Sequence, residues 1–377
     1  MRTPVCDLFD IEHPIFAFSH SRDVVAAVSK AGGLGVFGAV AYSPEELEEA
    51  LAWIDEHVDG RPYGVDVVVP MSSNAPPDAE AIDLESMIPE EHRQWVNDLL
   101  KRYKVPPLPE GEQAHEGLLG WTLDRATRQA EIAFAHPIKL LASALGPPPR
   151  ETVDEAHRRG ARVAALAGTP DHARRHVEAG CDMIVAVGTE AGGHTGSIST
   201  MVLVPQIVDA VAPLPVAAAG GIGDGRQVAA ALALGAQAVW TGSIWLTTEE
   251  SDSGPAVIEK LLQAGSGDTV RSRAMTGKTA RLLRTPWTDA WDGPGSPGAL
   301  PMPLQFLLNA NATSRMHRYA DESPGARELV TSPVGQIVGS MNRVQSVEDV
   351  MRALVTGFGA TVQELDRAAS AREGVSE

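Results

Sequence analysis

The sequence predicts an α/β chain built on a closed barrel of eight βα units, with an inserted subdomain and a C-terminal helical cap. Three observations predict it. First, short apolar runs bounded by glycine recur after polar, Ala-rich stretches: Leu34–Phe37 between Gly33 and Gly38, Ala161–Leu166 between Gly160 and Gly168, Met183–Val187 between Gly180 and Gly188, and Ala236–Trp240 between Gly235 and Gly242. Glycine just after a helix supplies a left-handed cap, and a continuous apolar run suits a parallel strand buried on both faces. Second, the glycines that end such runs, at 168, 188, 220 and 242, are 20, 32 and 22 residues apart, the length of a strand-plus-helix unit. Third, the runs number eight, at 14–18, 34–38, 63–69, 138–144, 162–167, 183–187, 214–219 and 237–241, which favours a (β/α)8 TIM barrel.

The elements follow in order. Between the second and third runs, Ser43-Pro44-Glu45-Glu46 offers a cap, a proline for the first turn and early acids. Leu47, Leu51, Ile54 and Val58 then recur at helical spacing, a stripe to lay on the sheet. Residues 70–135 are too long for a simple connection; with Pro76-Pro77, a helical segment near 90–103 and Pro106-Pro107-Leu108-Pro109 they read as an inserted subdomain or lid. Beyond the eighth run, residues 251–377 read as an extension packing on a barrel of 1–250. It holds a turn-rich linker at Gly293–Gly298 and a closing helix over 346–371.

Composition bounds the function. The 377 residues carry 49 acidic and 31 basic side chains, a formal charge of −18. That balance argues against nucleic acid or an anionic membrane as partner, since phosphate binding needs a basic surface. No stretch of 18 apolar residues occurs, and MRTPVCDLFD shows no basic segment followed by an apolar run. Cys6 and Cys181 form neither a CxxC pair nor a zinc spacing, so a reduced, cytoplasmic protein is expected. His172 and His176 lie four apart on a polar helix, a spacing that can bind metal, but beside two arginines a metal site is not expected.

In such a barrel, function gathers at the carboxyl ends of the strands. The sixth ends in Gly188-Thr-Glu-Ala-Gly-Gly-His194-Thr-Gly196. Four glycines in nine residues make sense where backbone bends sharply or approaches a ligand. The imidazole among them is a candidate general base, against the plainer reading of a tight turn with an incidental histidine. The seventh ends in Gly220-Gly221-Ile-Gly-Asp-Gly225 before a helix, and the eighth in Gly242-Ser243. Backbone amides at a helix start can receive phosphate, and the seventh and eighth loops are the usual phosphate site of these barrels. A flavin mononucleotide or pyridoxal phosphate is compatible. Pyridoxal chemistry needs a Schiff-base lysine, and Lys139, the only one near a strand, sits at a strand start, the wrong end.

These strings together resemble the nitronate monooxygenases: Gly188–Gly196, Ala219–Gly225, Ala230–Ala236 and Gly242-Ser243, with His13-Pro-Ile15, Ala31–Gly35, Thr276-Gly-Lys-Thr-Ala-Arg281 and Gly335-Gln336. The resemblance covers most of the chain outside 70–135. It implies an FMN-dependent barrel that oxidises alkyl nitronates or nitroalkanes with O2. It places His194 beside the flavin, as base for a nitroalkane carbon or anchor for the nitronate. Gly220, Gly221, Gly242 and Ser243 fall on its phosphate loops, and Gly188, Gly192 and Gly193 where backbone approaches the flavin. Asp66 stands where many members carry asparagine near the ring. His20, in Ala17-Phe-Ser-His20, departs from the family's string after the first strand and is a candidate for the substrate pocket. The alternatives are an FMN-dependent, NAD(P)H-linked reductase of an enoyl thioester or related unsaturated substrate, and a flavin- or phosphate-binding protein without turnover. A homo-oligomer is compatible with all three.

Overall fold

A computed structural model of the chain describes residues 1–68, 84–112 and 123–370. Strands are numbered in chain order: β1 (Ile15–Ser19), β2 (Leu34–Gly38), β3 (Tyr63–Val68), β4 (Leu140–Ala144), β5 (Arg162–Ala167), β6 (Met183–Val187), β7 (Gly193–His194), β8 (Val216–Ala219) and β9 (Ala238–Thr241). All but β7 form one closed parallel barrel, sealed where Phe16 of β1 meets Trp240 of β9. These eight are the expected runs, with starts trimmed by one or two residues at β1, β4, β8 and β9; Val69, the expected end of β3, lies outside the described residues.

The strands are apolar throughout because both faces are covered. Outward side chains such as Val65, Val67 and Ile184 pack under the helices. Inward side chains, among them Phe16, Val36, Ala142, Ala164, Val185, Ala217 and Trp240, fill the barrel. Helix α1 (Pro4–Phe9) contributes Phe9 to that inner core, edge-on to Phe16 at 5.1 Å. Helix α2 (Arg22–Lys30) follows β1. In α3 (Pro44–His57) the Ser43 hydroxyl accepts from the Glu46 amide and the Glu46 carboxylate accepts from the Ser43 amide, closing the capping box. Cys6 and Cys181 are buried and unpaired.

Of the expected insertion 70–135, residues 70–83 and 113–122 lie outside the described residues. The remainder includes α4 (Glu90–Arg102) and α5 (Leu123–Ala133). Helix α5 packs on α3 and β3. The 90–107 stretch is bound instead to the C-terminal part of the chain. Trp95 Nε1 donates to the Gly295 carbonyl (2.9 Å), and Arg315 donates to the carbonyls of Val105 and Pro106 (2.6 and 2.7 Å).

Within the barrel α6 (Arg150–Arg158), α7 (Pro170–Ala179), α8 (Thr200–Val211) and α9 (Gly225–Ala233) follow β4, β5, β7 and β8. The extension holds α10 (Pro255–Gln263), the hairpin β10 (Thr269–Ser272) and β11 (Ala280–Leu283), α11 (Pro286–Asp292), α12 (Leu304–Tyr319), α13 (Pro324–Leu329) and α14 (Val347–Ser370). The hairpin is not among the expected elements. Its strand β11 also pairs with β7, Ala280 opposite His194. Helix α14 lies on α9 so closely that a Cβ on Gly225 would strike the Gly357 and Phe358 backbone. Among the described residues no helix is long and apolar enough to cross a membrane.

Candidate active site

A cavity of about 520 Å³ opens at the carboxyl ends of the barrel strands, a size ordinary for a small-molecule or cofactor site. Its walls are mainly apolar, with Phe18, Leu166, Trp240, Met275 and Ile337 among them. Small inward residues create it: alanine at 142, 164, 217 and 219 leaves the barrel's upper interior thinly filled. Into it project His20, Asp66, His194 and Lys278.

His194 is fixed from two sides. Its backbone is held by β11, and its Nε2 lies 2.8 Å from Thr276 Oγ1. The Thr276 hydroxyl donates to the Lys278 carbonyl (3.2 Å), so the network assigns the imidazole proton to Nε2, donating to Thr276. Burial, with Lys278 nearby, lowers the His194 pKa to about 4. The ring is therefore neutral at physiological pH.

The rest of that loop is fastened as tightly. Arg281 Nε donates to the Thr189 carbonyl (2.8 Å), the Gln336 amide to the Glu190 carbonyl (2.9 Å), and the Glu190 carboxylate accepts from the amide and hydroxyl of Thr200 at the start of α8 (2.9 and 2.8 Å).

The glycines divide by what a side chain would meet. At Gly188 and Gly220 a Cβ would run into Thr200, and at Gly192 into the backbone of Val334 and Gly335. Those three serve packing, and Gly188 does not line the cavity, whereas Gly192 and Gly220 also do. Gly193, Gly221 and Gly242 differ: a Cβ there has nothing within 4 Å, only Glu190 at 3.5 Å, and only Phe18 at 4.0 Å respectively, and all three line the cavity. Among the described residues the amides of Gly221 and Ser243 donate to no protein acceptor. The Ser243 hydroxyl accepts from the Gly335 amide (2.9 Å) and keeps its own proton to donate. Two strand-end loops thus present backbone N–H groups and open space beside the first turn of α9.

Asp66 and His20 lie at the ends of β3 and β1, the two strands that flank β2. Asp66 is 4% exposed and faces the cavity from β3. Burial raises its pKa to about 7. His20 Nδ1 donates to the Gly38 carbonyl (2.9 Å) and the ring stands edge-on to Phe18 at 5.2 Å. Burial lowers its pKa. His172 and His176 also line the cavity, with His176 Nε2 donating to the Leu166 carbonyl (3.0 Å); among the described residues no group of three potential metal ligands forms.

So the fold gathers His20, Asp66, Gly192, Gly193, His194, Gly220, Gly221, Gly242 and Ser243 around one cavity. Thr276, Lys278, Ser332 and Gly335 join them from the extension. Sequence reasoning used the 276–281 and 335–336 strings as marks of kinship and assigned them no place in the site. No local signal could, because the contacts that bring them there span 82 residues from His194 to Thr276 and 92 from Ser243 to Gly335.

The closed barrel with a cavity at the carboxyl ends of its strands is the architecture of a TIM-barrel enzyme, and comparison with known proteins makes it an oxidoreductase. The model of the nitronate monooxygenase family matches residues 2–357, and the chain belongs to that family. A Mycobacterium tuberculosis protein named "Putative monooxygenase Rv1533" is 54% identical over 97% of this chain and 98% of its own. A probable nitronate monooxygenase of Staphylococcus saprophyticus is 31% identical over 74% of this chain and 78% of its own. Among solved structures, a nitroalkane oxidase from Streptomyces ansochromogenes superposes with TM-score 0.77 at 25% identity, covering 96% of this chain and 99% of that one. FabK from Thermotoga maritima does so with 0.72 at 28% identity, covering 97% and 99%. The family's chemistry is flavin chemistry.

Proposed function

We propose that the chain is an FMN-dependent oxidoreductase that oxidises alkyl nitronates or nitroalkanes with O2. The observation that carries this reading is the placement of a buried, neutral His194 on the same cavity as three glycines whose missing side chains serve no internal packing. Those residues fit FMN. Gly221, Gly242 and Ser243 would take the phosphate through N–H groups and the start of α9, with no cation needed from an acidic protein. Gly193 would give the ring room. When bound, FMN supplies the oxidising centre that O2 regenerates.

The protein's own part is positioning. His194 is held by Thr276 and β11, so its ring presents one orientation to the substrate. A pKa near 4 makes it a weak base, since an efficient general base titrates near the working pH. Its proton sits on Nε2, given to Thr276, so the ring has an unprotonated Nδ1 that can accept a proton from a nitroalkane carbon and no N–H left to donate to the negative oxygens of a nitronate. Lys278, at the rim beside it, suits the same negative charge. The apolar walls accept an alkyl body and exclude water. Buried, unpaired Cys6 and Cys181 are in keeping with a cytoplasmic location.

A second reading, reduction of an enoyl thioester or related substrate by NAD(P)H, is supported by the likeness to FabK. One experiment separates the two. The purified protein is examined for bound FMN, then mixed without oxygen with propyl-2-nitronate and, separately, with NADPH. Bleaching of the flavin by nitronate alone supports the first reading. Bleaching by NADPH alone replaces it with the second, and a protein that takes up no flavin sinks both.

A further inference from the structure

Asp66 occupies a setting that no ionised carboxylate would choose. It sits on the inward face of β3, paired in register with Gly38 of β2 and Ala142 of β4. Neither neighbour has a side chain that can hydrogen-bond. Along its own strand the inward residues are Gly64 and Val68. Among the described residues the carboxyl forms no ion pair and receives no hydrogen bond, although it is 4% exposed and turned to the cavity. An unpaired buried carboxylate takes up a proton in preference to bearing the desolvation cost.

We propose that Asp66 meets the bound ligand as a carboxylic acid, its O–H donating a hydrogen bond to an acceptor atom of the flavin held in the cavity. The inference rests on the flavin reading above. A carboxylic acid and an amide can each donate from this position, so an asparagine here would do the same work. The acid alone loses its donor as pH rises. The pKa near 7, raised by burial alone, puts that loss in the physiological range.

Other groups do not mask such a transition. Strands β2 and β4 carry no titratable side chain beside Asp66. Helices α2 and α5 lie on the outward face of β3, away from the cavity. The cavity is also lined by His172, His176, His194 and Lys278, and by His20, which is bonded to the carbonyl of Gly38, the register partner of Asp66. Burial holds His20, His176 and His194 below the ordinary histidine range, so those three change charge at more acid pH.

Two measurements test the proposal on the full chain. Infrared spectra of the flavin-free protein from pH 5 to 9 should show a protonated carboxyl stretch that disappears with a midpoint near 7 and is missing from Asp66→Asn. The visible absorption of the flavin-loaded protein should shift over the same pH range in the wild type and stay constant in Asp66→Asn. Flavin affinity at pH 6 should be alike in wild type and Asp66→Asn, and about tenfold weaker in Asp66→Ala. No Asp66-dependent carboxyl band overturns the protonation. A band without any response of the bound flavin overturns the contact. A protein that shows the band yet binds no flavin overturns the flavin reading, and with it the named acceptor.

Discussion

The Nε2 of His194 lies 2.8 Å from the hydroxyl of Thr276, so the ring at the centre of the site is oriented by a residue from outside the barrel. Thr276→Val keeps the shape and removes the acceptor. Leaving that N–H unpaired costs about 1–3 kcal/mol. We expect kcat with a nitronate to fall roughly tenfold to a hundredfold, with KM and flavin content little changed and with recovery in Thr276→Ser. An unaltered kcat would remove Thr276 from the positioning role.

His194→Asn should retain flavin, because the loops proposed to hold its phosphate are elsewhere, and lose about 100- to 10,000-fold in turnover. The pH profile makes a second check. With its pKa lowered to about 4, the neutral ring is present throughout the range above pH 5 and is lost only as pH falls through about 4. The activity therefore carries no His194-dependent limb between pH 5 and 8. An inflection near pH 6.5 that vanishes in His194→Asn would contradict the burial of this ring.

Gly188 and Gly242 should fail in different ways. A Cβ on Gly188 collides with Thr200, and overpacking of this kind costs about 1–3 kcal/mol. Gly188→Ala should lower the melting temperature of the flavin-free protein. At Gly242 the space is open and φ is −135°, so Gly242→Leu should fold normally and exclude flavin. Thermal melts and flavin titration of both variants decide it; stoichiometric flavin in Gly242→Leu would displace the phosphate site from this loop.

Asp66 makes a prediction about stability. Its folded pKa of about 7 exceeds the ordinary value of 3.8 for an aspartate in water. The folded state therefore binds the proton more tightly. The protonated group's contribution is fully present below about pH 3.8 and lost as pH rises through about 7. The full penalty above that point is at most about 4 kcal/mol. Asp66→Asn should raise the melting temperature of the flavin-free protein at pH 8 more than at pH 5. Equal shifts at both values would mean that Asp66 is ionised in the folded chain at both.

Arg315 ties the two excursions from the barrel together through the Val105 and Pro106 carbonyls. Arg315→Ala should speed hydrogen exchange in α4 and the residues after it while leaving the barrel strands protected. Uniform exchange across the whole chain would show that the link is not local.

The barrel was legible in the sequence because each of its strands announces itself locally, as in Met183–Val187, an apolar run closed at both ends by glycine. The glycine loops after β8 and β9, proposed above to take a phosphate, stand out in the sequence for the same reason. Glycine content alone could not separate Gly188, which makes way for Thr200, from Gly242, which makes way for nothing in the protein. That distinction depends on what lies across the gap. The hairpin β10–β11 escaped because its strands are four residues each and one of its partners, β7, is only two. Thr276 and Gly335 were recognisable as kinship marks and not as site residues, since their partners lie far along the chain.

The pairing of His194 with residues 276–281 has a consequence for the order of synthesis. Thr241 completes the barrel, yet His194 gains its partner only after Thr276 has left the ribosome. Since domains can fold as they emerge, the nascent barrel forms before its site is whole. The candidate site is completed later still, when Gly335 and Ile337, which also line the cavity, have been made.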